Sequence, residues 1–119
     1  MSLAFDAYVT DARFDRSGVA VFALGDGSVR WEEGGRVQAH DGAVLAAAAH
    51  PSGEGLVTGG DDGRLVWSRP AGAETLAEAK GRWIDVVASS AASGLIAYAA
   101  GREVRVLDVK DPKFSGSLT

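Results

Sequence analysis

His40, Thr58 and Asp62, with Ser52 close by in sequence, are the side-chain types that build a hydroxyl nucleophile, an imidazole base and an orienting carboxylate. Such a set would serve acyl transfer if the fold brought hydroxyl and imidazole within hydrogen-bond reach in an open cleft. Other chemistry finds less to work with. Gly60-Asp61-Asp62-Gly63 is an acidic turn, but it lacks the regular oxygen spacing and closing Glu of a calcium loop. His50 stands before Pro51 and reads as a turn residue, and two isolated histidines do not make a metal site. No Gly-Lys-Ser/Thr occurs in the glycine-rich segments, so nothing there cradles a phosphate. The chain has no cysteine, which excludes disulfides, thiolate ligands and a cysteine nucleophile. No metal and no cofactor is expected.

The elements that must position these residues recur three times. Asp11-Ala-Arg-Phe-Asp-Arg-Ser-Gly18 leads into Gly25-Asp-Gly-Ser-Val-Arg-Trp31. Ala46-Ala-Ala-Ala-His-Pro-Ser-Gly53 leads into Asp61-Asp-Gly-Arg-Leu-Val-Trp67, and Val86-Val-Ala-Ser-Ser-Ala-Ala-Ser-Gly94 into Gly101-Arg-Glu-Val-Arg-Val-Leu-Asp108. From Ser17 to Ser52 to Ser93 the steps are 35 and 41 residues, and from Asp26 to Asp62 to Gly101 they are 36 and 39. Short alternating apolar stretches between glycine-rich turns predict strands. They fall at 9–14, 19–24, 28–32 and 36–39; at 44–49, 55–58, 64–68 and 74–79; and at 84–89, 95–99, 103–109 and 113–119. Asp26-Gly27 reads as a two-residue hairpin turn needing positive φ, and Asp111-Pro112 as a break before the last strand. Residues 73–81 could form a helical turn or two by propensity. Their place in the repeat instead predicts an outer strand. A repeat near 40 residues built of short strands is the signature of a β-propeller blade.

Composition narrows the partners. The 119 residues are 46% hydrophobic and 24% charged, as in a soluble globular domain. The net charge of −4 and the scattered Lys and Arg residues argue against a nucleic-acid binder. No apolar run reaches the ~20 residues of a membrane helix, and the first residues lack the basic start and apolar region of a signal peptide. The expected location is the cytoplasm, with neither nucleic acid nor membrane as partner.

Residues 40–67 bring His40, an alanine-rich first strand, Pro51-Ser52-Gly53, a small-residue second strand with Thr58, the Asp61-Asp62-Gly63 turn and Trp67 into one order. This order resembles the WD-repeat β-propeller family, and the whole chain looks like three consecutive blades of it. The resemblance implies an all-β fold of three four-stranded antiparallel blades, one propeller segment over 1–119 divided at about 8–40, 41–80 and 81–119. It also implies that His40, Thr58 and Asp62 form a buried structural hydrogen-bond network, leaving no catalytic residue. The family's fourth network member, a Trp, falls on Ser68. Trp31 and Trp67 lie one position earlier and are expected to pack between blades. The corresponding Ser/Thr slots hold Phe22 in the first repeat and Ala97 in the third, with Phe5 near the first repeat's His slot. Only Leu107-Asp108 resembles the Trp-Asp pair. Ala46–Ala49 would let innermost strands approach closely.

Propellers of this family bind partners on the face whose loops enter the innermost strands. The resemblance therefore implies a non-enzymatic protein–protein interaction scaffold, with Tyr8, Thr10, Asp11, Asp41, Arg82, Trp83 and Asp85 as candidate partner-binding residues. Trp83 beside Arg82 would be an interface anchor. The alternative is a small-molecule or glycan binder using the repeated Trp31 and Trp67, which requires both to be exposed. Three blades fall short of the ~4–8 that close a propeller. The chain is thus expected to belong to a longer propeller or to form a homo-oligomer through its open blade edges.

Overall fold

The computed structural model describes residues 2–118, with side chains described as far as Lys110. The alternation of apolar residues produces twelve strands and, among the described residues, no helix. The first sheet holds β1 (Val9–Phe14), β2 (Ala20–Leu24), β3 (Ser28–Trp31) and β4 (Arg36–Gln38). The second holds β5 (Val44–Ala49), β6 (Leu56–Gly60), β7 (Arg64–Arg69) and β8 (Gly72–Glu78). The third holds β9 (Ile84–Ser90), β10 (Leu95–Ala100), β11 (Glu103–Asp108) and β12 (Asp111–Leu118). Each sheet is an antiparallel meander in chain order.

β1 and β5 occupy the expected residues, and the other strands differ at their ends by one or two. The segment with helical propensity is strand β8, because pairing with β7 and packing of Leu76 and Ala77 on the core outweigh propensity. Asp111-Pro112 begins β12 instead of breaking the chain before it. Proline is tolerated there because β12 is an edge strand. Thr119, the expected last residue of this strand, lies outside the described residues.

The hairpin turns depart from the two-residue form. Gly27 N donates to Leu24 O at 3.1 Å, and Gly63 N donates to Gly60 O at 3.2 Å, closing three-residue connections. Positive φ occurs at Gly27 (85°) and not at Asp26, so one glycine suffices where a two-residue turn would need two such residues.

Side-chain alternation gives the second sheet two apolar faces, and both are covered. Leu56 and Val66 join Val21, Val29 and Trp31 of the first sheet, whereas Val57 and Leu65 join Ile84, Ile96 and Tyr98 of the third. β5 lies beside β1 on one side and β9 on the other, and its Ala47 and Ala48 are buried. Each buried Val, Leu or Ile contributes ~1.5–3 kcal/mol by leaving water, so the two interfaces carry most of the stability. Leu65→Ala should cost about 2–5 kcal/mol, while exposed Thr75→Ala on β8 should stay within about 0.5 kcal/mol. Urea unfolding tests this stacking, which equal losses would refute.

Candidate functional site

The end of the molecule where β1, β5 and β9 begin also holds the β2–β3, β6–β7 and β10–β11 turns. This follows from the antiparallel order. Hydrogen bonds tie the loops there into one surface. Gly25 N donates to Tyr8 O at 2.7 Å, and Gln38 Nε2 bridges Asp26 O (2.8 Å) and His40 O (2.9 Å). Asp61 N donates to Ala43 O at 3.2 Å, and Ala79 N to Gly63 O at 2.7 Å.

At the centre, His40 pairs with Thr58 and Asp62. Its Nε2 lies 2.7 Å from Thr58 Oγ1 and its Nδ1 lies 2.9 Å from Asp62 Oδ1. The carboxylate also accepts the amides of Asp41 (3.0 Å) and Arg64 (3.1 Å). An ionised Asp62 can only accept, so Nδ1–H donates to it, and the Thr58 hydroxyl turns to satisfy Nε2. Burial opposes ionisation of Asp62, but the His40 hydrogen bond and the two amides outweigh it and hold the carboxyl below its ordinary value. Gly60 is required beside this group, since a Cβ there would collide with the imidazole.

The acyl-transfer arrangement does not form. Ser52 sits in the turn after β5, at the opposite end from His40, and bonds His50 Nδ1 at 2.8 Å. Thr58 does meet His40, but it is 0% exposed and out of reach of any carbonyl. The group instead fixes the loop before β5 to the β6–β7 turn.

The other sheets solve the same problem differently. In the first, Asp26 accepts Ser28 N (2.9 Å) and Arg30 Nη2 (2.9 Å), and the Ser28 hydroxyl donates to it. The spacing Asp26, Ser28, Arg30 is the signal for this cluster, one that network matching passes over. Phe22 occupies the Thr58 position by register, and Phe5 packs on it at 5.5 Å between ring centroids. In the third sheet that register position is Tyr98, not Ala97. The β10–β11 turn is one residue shorter than β6–β7, so counting from it lands on the opposite face. Ser68, in the missing Trp slot, is fully buried, and its Oγ finds no partner among the described residues.

Trp31 is 4% exposed in the first interface. Trp67 packs on the second, donates through Nε1 to Glu54 O at 2.8 Å, and stacks on His50 at 3.7 Å between ring centroids. His50 is therefore a buried packing residue and more than a turn former. It accepts the Ser52 amide, and burial, followed by the nearby Arg69 charge, pushes its pKa down.

The candidate partner residues divide into three groups. Tyr8 (90% exposed), Trp83 (63%), Asp41 and Arg82 lie open on the loop-bearing end. Thr10 and Asp85 occupy equivalent irregularities at the starts of β1 and β9, each an extra residue against its partner strand. Thr10 Oγ1 donates to Ala23 O at 3.0 Å, whereas Asp85 is exposed. Asp11 points along β1 and pairs with Arg13 at 2.8 Å. Asp11 thus stands apart from the loop surface.

Among the described residues, no three of His, Asp and Glu converge as metal ligands, and no helix is long and apolar enough to cross a membrane. No family model matches the chain, and neither does any curated protein.

Truncating either His40 or Thr58 strands a buried polar partner and should cost about 1–3 kcal/mol. A double-mutant cycle on His40→Ala and Thr58→Ala should show coupling of about 0.5–3 kcal/mol; additive losses would dissolve the network. Asp62 and His50 act in different pH windows. The unfolded chain protonates its carboxylate at the ordinary 3.8, above the folded value, so Asp62 stabilises fully above 3.8 and less as pH falls below it. His50 takes a proton at 6.5 when unfolded and resists it when folded, so stability falls as pH drops through 6.5. His50→Gln should flatten the melting-temperature profile between pH ~7.5 and ~5, and Asp62→Asn should flatten it only below 3.8.

Proposed function

We propose that the chain is a non-enzymatic protein-interaction scaffold, built of WD-like propeller blades and binding a partner protein through its loop-bearing end. The observation that carries this reading is the pair of large exposed aromatics on that end, Tyr8 at 90% and Trp83 at 63%. Exposed Trp and Tyr are the residues most often found as anchors in protein interfaces. Main-chain bonds hold the Tyr8 segment to the β2–β3 turn and the segment leading to Trp83 to the β6–β7 turn, so a partner would meet ordered loops at little entropic cost. Asp41 and Arg82 add charges of both signs at its rim. The stacked four-stranded sheets and the His40–Thr58–Asp62 group support the propeller part of the reading. The alternative binder would need Trp31 and Trp67 open, and the burial of Trp31 weighs against it.

Photo-cross-linking tests the proposal. A benzoylphenylalanine at position 83 should trap a discrete protein in a lysate of the source organism, and one at Ser17, in the β1–β2 turn at the opposite end, should not. Tyr8→Ala should weaken capture roughly tenfold or more, as expected of an anchor. Equal capture from both ends would overturn the assignment.

A further inference from the structure

Among the described residues no other sheet covers either outermost sheet face, although Phe5 lies over Phe22 on part of the first, and register shows what each lacks. Val29 pairs with Ala23, Leu65 with Gly59 and Val104 with Ala99, at equivalent places in the three sheets. Val29 and Leu65 are 0% exposed because the next sheet covers them, whereas Val104 is 39% exposed. On the opposite faces, Val9, Val44 and Ile84 are equivalent through their pairing with Leu24, Gly60 and Ala100. Val44 and Ile84 are 1% and 0% exposed beneath the preceding sheet, but Val9 is 48% exposed. The third sheet is therefore built to cover another sheet, and the first to be covered by one.

We propose that a second copy of this chain supplies the missing sheet, its first sheet stacking on the third by the step that already joins the first to the second and the second to the third. This rests on the propeller reading above. The sizes of the side chains single out these two faces as mates. Where the covering faces inside the chain carry Val21 with Trp31 and Val57 with Trp67, the third sheet carries Ala97 with Val106. The smaller residues border an open hollow of about 260 Å³, where Ala88, Leu95, Ala97 and Val106 form the sheet-facing floor and Ser89, Ser90 and Ser93 the edge. Where the covered faces inside the chain carry Ala49 and Ser89, the first sheet carries Phe14, 74% exposed. Phe14 ends β1 and Leu95 begins β10, so ring and hollow lie at the same end, away from the loops. A large residue has moved from the covering face to the covered one, which suits a close-packed contact. Two such contacts related by a twofold axis give six sheets with no open face, a closed assembly within the range of propellers.

Light scattering should find twice the 12.2 kDa chain mass. Phe14→Asp and Val106→Arg should each return it to one chain, with near-ultraviolet circular dichroism checking that Trp31 keeps its packing. Because the chain has no cysteine, Ala12→Cys and Ala97→Cys can be cross-linked cleanly by a short bismaleimide. Mixed variants should link, and each alone should not. A wild type at one chain mass, links between identical variants, or open assemblies of many chains would overturn the pairing. A single-chain species that still cross-links from position 83 would refute the pairing and leave the loop-end function standing. A pair that captures nothing from position 83 would do the reverse.

Discussion

A four-stranded sheet whose two faces are both apolar cannot stand in water, and the second sheet of this protein is such an element. Its strands read as near-continuous buried runs, with Leu56 and Val57, then Leu65 and Val66, turning in opposite directions. Everything else answers that constraint. The flanking sheets each turn an apolar face toward it, β5 is narrowed to alanines where β1 and β9 crowd it, and the polar groups retreat to the two ends. Moving Leu65 or Val66 by one residue would place its side chain in the wrong interface, so register is fixed from both sides at once.

The polar groups at the loop-bearing end have a related task. A stack of meanders fixes strand directions but leaves the connecting loops free, and each sheet closes them with its own chemistry. The second uses His40, Thr58 and Asp62, and the first Asp26, Ser28 and Arg30. The third has Gly101 and Arg102 at the corresponding turn and fills the network position with the buried Tyr98. Burial of His40, which is 1% exposed, is tolerable because both ring nitrogens have partners. The same closure that makes the trio harmless to stability removes it from catalysis.

Much of this was legible in the sequence. The spacing of Ser-Gly pairs and Asp-Gly turns located nearly every strand, and alternation assigned Trp31 and Trp67 to interfaces instead of to the network. Two of the misreadings share a cause: turn length is not visible in residue types. One residue fewer between β10 and β11 exchanged Ala97 for Tyr98, and the three-residue turn removed the need for positive φ at Asp26. Asp11 was grouped with the loop residues by proximity in sequence, although strand alternation sends it toward Arg13. His50 looked like a turn former because its stacking partner, Trp67, is distant in sequence.

Sequence alone determined the element type, the threefold division and the exclusion of thiol chemistry, because these depend on local periodicity and on which residue types are present. Only the tertiary structure decided that Thr58 is sealed from solvent while Tyr8 and Trp83 are open, and that Val9, Phe14 and Val104 lie on faces that no sheet covers. Exposure depends on which face of one sheet meets which face of the next. No local pattern encodes that choice, because both faces of a strand pair can be equally apolar until a neighbour selects one.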